Sequence, residues 1–334
     1  MTVTFGEILL RLSTPDRILQ ADGFDAMYGG SEANVACALA GFGEKASYIT
    51  KLPANDIGDA CIAELRKYGV DTDGIVRGGE RMGLYFLEKG ASHRPSKVIY
   101  DRKNSAISAA SLSDFSWNRI LRGADTLFLS GITPAIGKKL PAVCKKLLDT
   151  AKSMGIRVYF DVNYRAALWS EAEAGACLSE LLPLCDVVII NEEHAAKLFG
   201  ITGEGDTDTD RIASAARQIS ETFALDKAVF TLRRSISSDD NEVSAFLYDA
   251  SAGTSAMSRT FKVHIVDRVG GGDALSAALI YGEKQGMEGE ALINFASAAN
   301  AFKHAVKGDV LIASFVEILA LSQSREGEGV RLKR

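Results

Sequence analysis

The run Asp267-Arg268-Val269-Gly270-Gly271-Gly272-Asp273 holds the residue types and spacing best suited to chemistry. Consecutive glycines let the backbone reach positive φ and bring bare N–H groups close to a ligand. Ala-Leu-Ser-Ala-Ala-Leu-Ile follows at 274–280, so the run opens a helix. A helix N-terminus adds unpaired N–H donors and partial positive charge, and the combination makes an anion site. A carboxylate at Asp273 repels incoming phosphate, so its productive use lies elsewhere. It can accept the proton of an attacking hydroxyl while Gly270, Gly271 and Gly272 cradle a transferring phosphoryl group. Read alone, the run fits a tight turn with an ordinary capping aspartate equally well. A P-loop is excluded: Gly137-Lys138 is followed by Lys139 and lacks the upstream glycine.

Such a loop needs a sheet and helices to hold it. Residues 3–10 form a short apolar run with β-branched members, expected to be the first strand, and residues 31–42 a helix entered from Gly29-Gly30. From residue 125 the alternation is regular. Strands are expected at 125–129, 157–162, 186–190 and 227–232, with helices at 140–151, 171–184, 192–199 and 210–223. This pattern implies βαβ units and a mainly parallel sheet with helices on both faces. Two regions break the rhythm. Strand-like runs in residues 12–28 and 74–105 have no helix between them and suggest a small β-sheet lid. Residues 242–263 look like further strands. The expected organisation is an α/β body of residues 1–11, 29–73 and 106–322, a lid of 12–28 and 74–105, and a frayed charged tail at 323–334.

The 334 residues are 47% hydrophobic and 24% charged, with net charge -5. Charges of both signs are mixed along the chain, which argues against a nucleic-acid binder. No stretch approaches the roughly 20 apolar residues that cross a bilayer. Residues 1–6 show no basic region ahead of an apolar one, so no signal peptide is expected. Cys37, Cys61, Cys144, Cys177 and Cys185 are scattered without C-x-x-C spacing and read as thiols of a reducing cytoplasm.

Gly29-Gly30-Ser31-Glu32-Ala33-Asn34-Val35-Ala36 resembles the N-terminal sugar-binding signature of the ribokinase-like (PfkB) carbohydrate kinases. Residues 267–273 resemble their C-terminal signature, usually Asp-Thr-x-Gly-Ala-Gly-Asp. Together the two motifs, in the expected order, favour the catalytic reading of Asp273. Four stretches are similar to the 2-keto-3-deoxygluconate (KDG) kinases of that family: residues 83–88, 98–106, 161–165 and 267–273. The resemblance implies a three-layer α/β fold with a β lid and transfer of phosphate from ATP to the terminal hydroxyl of a sugar acid. It also implies magnesium and admits a monovalent cation. By the same likeness Gly30 and Asn34 hold substrate hydroxyls, and Tyr85, Tyr100, Arg102 and Arg165 surround the substrate carboxylate. Asp309 is a further candidate contact. Asp273 is the base, with Gly270 to Gly272 as the anion hole. Asn191, Thr231, Arg233, Gly270 and Gly272 are the candidates for nucleotide.

Forked guanidinium donors suit a carboxylate-bearing sugar, although a surface arginine at 102 and a strand-end salt bridge at 165 explain the same residues. The stretch Asn191-Glu192-Glu193-His194 places histidine where the family commonly has an acid near magnesium. Glu193 is the remaining candidate ligand, and His194 reads as a helix-surface residue. Residues 231–235 replace a glycine-containing ATP loop. The competing readings are a kinase for a neutral ketose or pentose and a catalytically silent sugar-binding protein. Apolar strand faces on the lid suggest a homo-oligomer formed through it.

Overall fold

The computed structural model describes residues 1–324. In chain order the strands begin with β1 (Thr2–Phe5), β2 (Leu9–Thr14), β3 (Asp25–Gly29), β4 (Ala46–Ile49) and β5 (Lys51–Leu52). Then come β6 (Val76–Arg77), β7 (Leu84–Glu88), β8 (Lys97–Asp101), β9 (Thr126–Ser130) and β10 (Arg157–Asp161). The last are β11 (Val187–Ile190), β12 (Lys227–Ser235), β13 (Asp240–Asp249), β14 (Thr254–Met257) and β15 (Phe261–His264).

Among the described residues, nine strands make one sheet in the order β14-β13-β12-β11-β10-β9-β1-β4, with β15 also paired to β13. From β4 to β12 every pair is parallel. The three last strands close that edge antiparallel. Strands β9 and β11 are buried throughout, as strands covered on both faces must be. One face packs on helices Ser31–Gly41, Gly271–Lys284 and Gly289–His304. The other packs on helices Leu140–Ser153, Glu171–Leu181 and Asp208–Phe223. A mainly parallel three-layer sheet is thus observed, as the alternation of elements implies.

A second, four-stranded sheet runs β3-β2-β7-β8. Its first strand starts earlier than expected. The apolar run at 3–10 is not one strand: β1 ends at Phe5, and β2 starts at Leu9 in the small sheet. The break sits at Gly6, where any side chain would overlap the carboxylate of Glu32. Residues 9–11 and Gly29 therefore pair in the small sheet rather than with the body. Val76–Arg77 pairs with Lys51–Leu52 instead of with the small sheet. Helix Phe315–Gln323 is regular to its end, and the remainder of the expected tail, residues 325–334, lies outside the described residues.

In an open parallel sheet ligands collect at the carboxyl ends of strands, where the strand order reverses. Here β1 is flanked by β4 on one side and β9 on the other. Asp161 at the end of β10 and the start of helix Ser31–Gly41 accordingly meet the start of helix Gly271–Lys284.

Candidate active site

Helix Ser31–Gly41 begins at Gly30, whose backbone passes so close to Glu7 that a Cβ would overlap its carbonyl oxygen. The Gly30 N–H donates to Asn34 Oδ1 at 3.3 Å, which fixes the Asn34 amide with its Nδ2 pointing onward. That Nδ2 donates to Asp273 Oδ2 at 2.7 Å, and Ser31 Oγ donates to Oδ1 at 2.7 Å. The two sequence motifs thus meet on one carboxylate, which is only 8% exposed. Burial pushes the Asp273 pKa up; the Asn34 and Ser31 hydrogen bonds, with the Arg165 charge, pull against it. Asn34, expected on a substrate hydroxyl, has its amide oxygen engaged by Gly30 and its amide nitrogen by Asp273.

The glycine run takes the geometry an anion cradle needs. Gly270 is the N-cap of helix Gly271–Lys284 with φ of 88°, and a Cβ there would overlap the Asp309 carbonyl oxygen. Gly271 packs against His304 and Asn300, whereas Gly272 has no heavy atom within 4 Å of where its Cβ would be. The first turn of a helix leaves its N–H groups without intrahelical partners. Gly272 is exposed in that first turn, next to Asp273.

Asp161, at the end of β10, stands near this carboxylate. Its pKa rises to about 7, through burial and then through the charge of Asp273. Asn163 holds it with its N–H at 3.1 Å and its Nδ2 at 3.2 Å. Asn163 has φ of 38°, a conformation asparagine tolerates better than most residues. Two residues on, Arg165 is exposed, and its guanidinium has no hydrogen bond or ion pair among the described residues. Of the two candidate arginines it alone is available to a ligand. Arg102 donates Nε to Glu7 Oε2 at 2.7 Å and is ion-paired to it through a second nitrogen. Glu7 is 3% exposed and also takes the Ser105 hydroxyl at 2.7 Å.

Tyr85 and Asp309 also differ from expectation. The Tyr85 hydroxyl donates to Asp309 Oδ2, and Arg11 binds Asp309 Oδ1. A buried carboxylate needs such partners, and these occupy the atoms that a substrate hydroxyl would have used. Arg11 also reaches Asp267 Oδ2 at 2.6 Å, linking β2 of the small sheet to the start of the glycine run. Tyr100 is 46% exposed, its ring 5.8 Å from that of Tyr85.

Of the residues expected to meet nucleotide, 231–235 form no loop. They complete β12, paired with β13 as far as Ser235↔Asn241. Thr231 Oγ1 donates to the Ile190 carbonyl at 3.4 Å, and Asn191 Oδ1 caps the next helix by accepting from the His194 N–H at 2.8 Å. Arg234 pairs with Glu242 at 2.8 Å. Arg233 has no ion pair among the described residues, and its charge bears on Arg268, whose pKa burial and Arg233 lower. A polyphosphate between them would relieve that repulsion. Glu193, the candidate metal ligand, is instead paired with Lys197 at 2.7 Å on the exposed side of its helix. His194 is half-buried, its ring set edge to face with Tyr164 at 5.6 Å between centroids, rather than a surface residue. No group of three or more His, Cys, Asp or Glu placed to hold a metal occurs among the described residues.

Sequence reasoning missed Arg11, Glu7 and Glu32. Each left a signal: a charge inside an otherwise apolar stretch, which in a core must be paired. Glu32 is 1% exposed, accepting from Ser130 Oγ and Thr133 Oγ, each at 2.7 Å. Burial raises its pKa to about 7, against the Thr133 and Ser130 bonds.

The solved structure of 2-dehydro-3-deoxygluconokinase from Thermotoga maritima overlays with a TM-score of 0.94 at 46% identity, covering 97% of this chain and 98% of that one. A relative from Haloferax volcanii named 2-dehydro-3-deoxygalactonokinase is 30% identical over 95% of this chain and 94% of its own. A sugar kinase from Pyrococcus horikoshii, solved in complex with ATP, overlays with a TM-score of 0.73 at 25% identity, covering 92% and 94%. The profile of the pfkB family carbohydrate kinases matches residues 1–313. Likeness over nearly the whole length accompanies the meeting of the two motifs on Asp273, and the chain belongs to the pfkB family of carbohydrate kinases.

Proposed function

We propose that the chain is an ATP-dependent KDG kinase, phosphorylating the terminal hydroxyl of a 2-keto-3-deoxy sugar acid. The observation that carries this is the Asp273 carboxylate, gripped by Ser31 and Asn34 beside the open N–H groups of the glycine run. Asp273 takes the hydroxyl proton as the oxygen–phosphorus bond forms and the bond between the γ-phosphorus and the bridging oxygen breaks. ADP leaves with that electron pair. The N–H groups at Gly271 and Gly272 stabilise charge on the moving phosphoryl group, where positioning and electrostatics supply most of the acceleration. Arg165 is the cation assigned to the substrate carboxylate, and Arg233 and Arg268 to the nucleotide phosphates.

Magnesium is proposed as the ion that arrives with ATP, since Mg2+ is held mainly by phosphates, waters and one or two carboxylates. It neutralises phosphate charge. Glu193 pairs with Lys197 on the exposed side of its helix, apart from any cluster of acids among the described residues, and no step is assigned to the metal.

The small sheet is the proposed lid over the sugar. Its edge strand β8 is exposed along its whole length, with Val98 and Ile99 each 41% exposed, which supports pairing with a second copy. A cytoplasmic location fits five free cysteines, four of them buried. No helix of the described residues is long and apolar enough to cross a membrane.

Because Glu7 already neutralises Arg102, a neutral ketose remains the second reading. ADP release measured over a panel of sugars and sugar acids separates the two. The account expects the highest kcat/KM with keto-deoxy sugar acids, and a preference for fructose or ribose would overturn it.

A further inference from the structure

Behind the glycine run lies a buried charge that the transfer chemistry above leaves unused. Lys303, in the last turn of helix Gly289–His304, is 0% exposed. Its Nζ donates to the Val306 carbonyl at 3.1 Å, and its Cε stands 3.2 Å from where a Cβ of Gly270 would be. An ammonium has three donors, and one carbonyl cannot satisfy it in the interior. The charges bearing on it come from every side: Asp267 before the glycine run, Asp309 after the helix, Asp273 at the base and Arg11 from the small sheet. Burial draws its pKa down to about 8 while Asp267 and Asp309 oppose that, so at neutral pH it carries its charge.

Kinship with this family admits a monovalent cation, which a protein holds with carbonyl and carboxylate oxygens directed at one point. Here the Val306 carbonyl already accepts from an ammonium tethered to the chain, and Asp267 and Asp309 are taken by Arg11, an arrangement that does not fit a free ion. We propose that Lys303 is the resident cation of this kinase, a positioning residue that ties the 306–309 loop to Gly270 and sets positive charge behind the phosphoryl cradle. The chain then needs no exchangeable monovalent cation. The inference rests on the glycine run's being that cradle.

Two measurements test it. The first compares wild-type kcat in potassium, sodium and tetramethylammonium chloride at equal ionic strength. The expected rates agree within about twofold, because no ion has to bind. A tenfold or greater activation by potassium would overturn the proposal. The second uses Lys303→Ala, for which kcat falls about 10²-fold, the scale of losing one electrostatic contact to the transition state. Potassium, ammonium or propylammonium then restores part of the rate. Full activity in this variant, or a loss that no cation alters, also counts against the proposal. Should the variant fail to fold, the wild-type comparison decides alone. Turnover in any of the salts leaves the phosphoryl-transfer reading intact, so failure falls on Lys303 only.

Discussion

Asp161 and Asp273 bring two like charges to the floor of one site, and burial makes each costly to ionise. Asp161 has its folded pKa raised to about 7, far above the unfolded value near 3.8. Stability from its protonated form is complete below the unfolded pKa and is lost as pH rises through the folded one. Asp161→Asn removes that loss. Its melting temperature should exceed wild type by about 2 °C or more at pH 8, with the gap closing toward pH 4. A lower melting temperature at pH 8 would contradict the sign. At Arg165 the effect belongs to binding. Arg165→Ala should raise KM for a sugar acid by about tenfold or more, the loss of a charge-assisted pair, with a smaller effect on a neutral sugar. Equal effects on both substrates would remove Arg165 from the carboxylate. Residues were legible in the sequence where a motif names an atom, as at Asp273. They were not where a partner is distant in the chain: nothing near Asp309 says that Arg11, 298 residues away, takes its oxygen.

The start of helix Gly271–Lys284 separates structural glycines from chemical ones. Gly270, at φ of 88° and against the Asp309 carbonyl, has no room for a side chain. Gly270→Ala should therefore cost about 2 kcal/mol or more of stability, from strain and overlap together. Gly272 faces open space. Gly272→Ala should fold with unchanged or slightly raised stability, since alanine favours a helix by about 1 kcal/mol over glycine. Its methyl group would intrude on the cradle and lower kcat by about tenfold or more. Comparing thermal melts with rates distinguishes the two, and equal stability losses would refute the distinction. At this scale the βα alternation was plain in the sequence because fully covered strands are continuous apolar runs. The exceptions were positional. The apolar run at 3–10 hid a change of sheet after Gly6, where the Glu32 carboxylate leaves no room for a side chain, and residues 231–235 read as a loop because their pairing partners 241–245 lie across a hairpin.

The whole molecule joins its two sheets through charge. Arg11 in β2 grips Asp267 and Asp309, and Arg102, following β8, grips Glu7 after β1. These pairs tie the small sheet to Asp267 at the start of the glycine run and to the segment after β1. The outer edge of that sheet is the expected contact with a second copy. Light scattering should give a dimer, and Ile99→Asp on β8 should shift it to monomer; a wild-type monomer at micromolar concentration would remove the contact. The central claim is that Asp273 is the base. The measurement that reaches it most directly is turnover and ATP affinity in Asp273→Asn, a change that keeps size while removing the proton acceptor. Here kcat should fall by about 10³-fold or more, with the ATP Kd within about threefold of wild type. A variant turning over within tenfold of wild type would contradict the account.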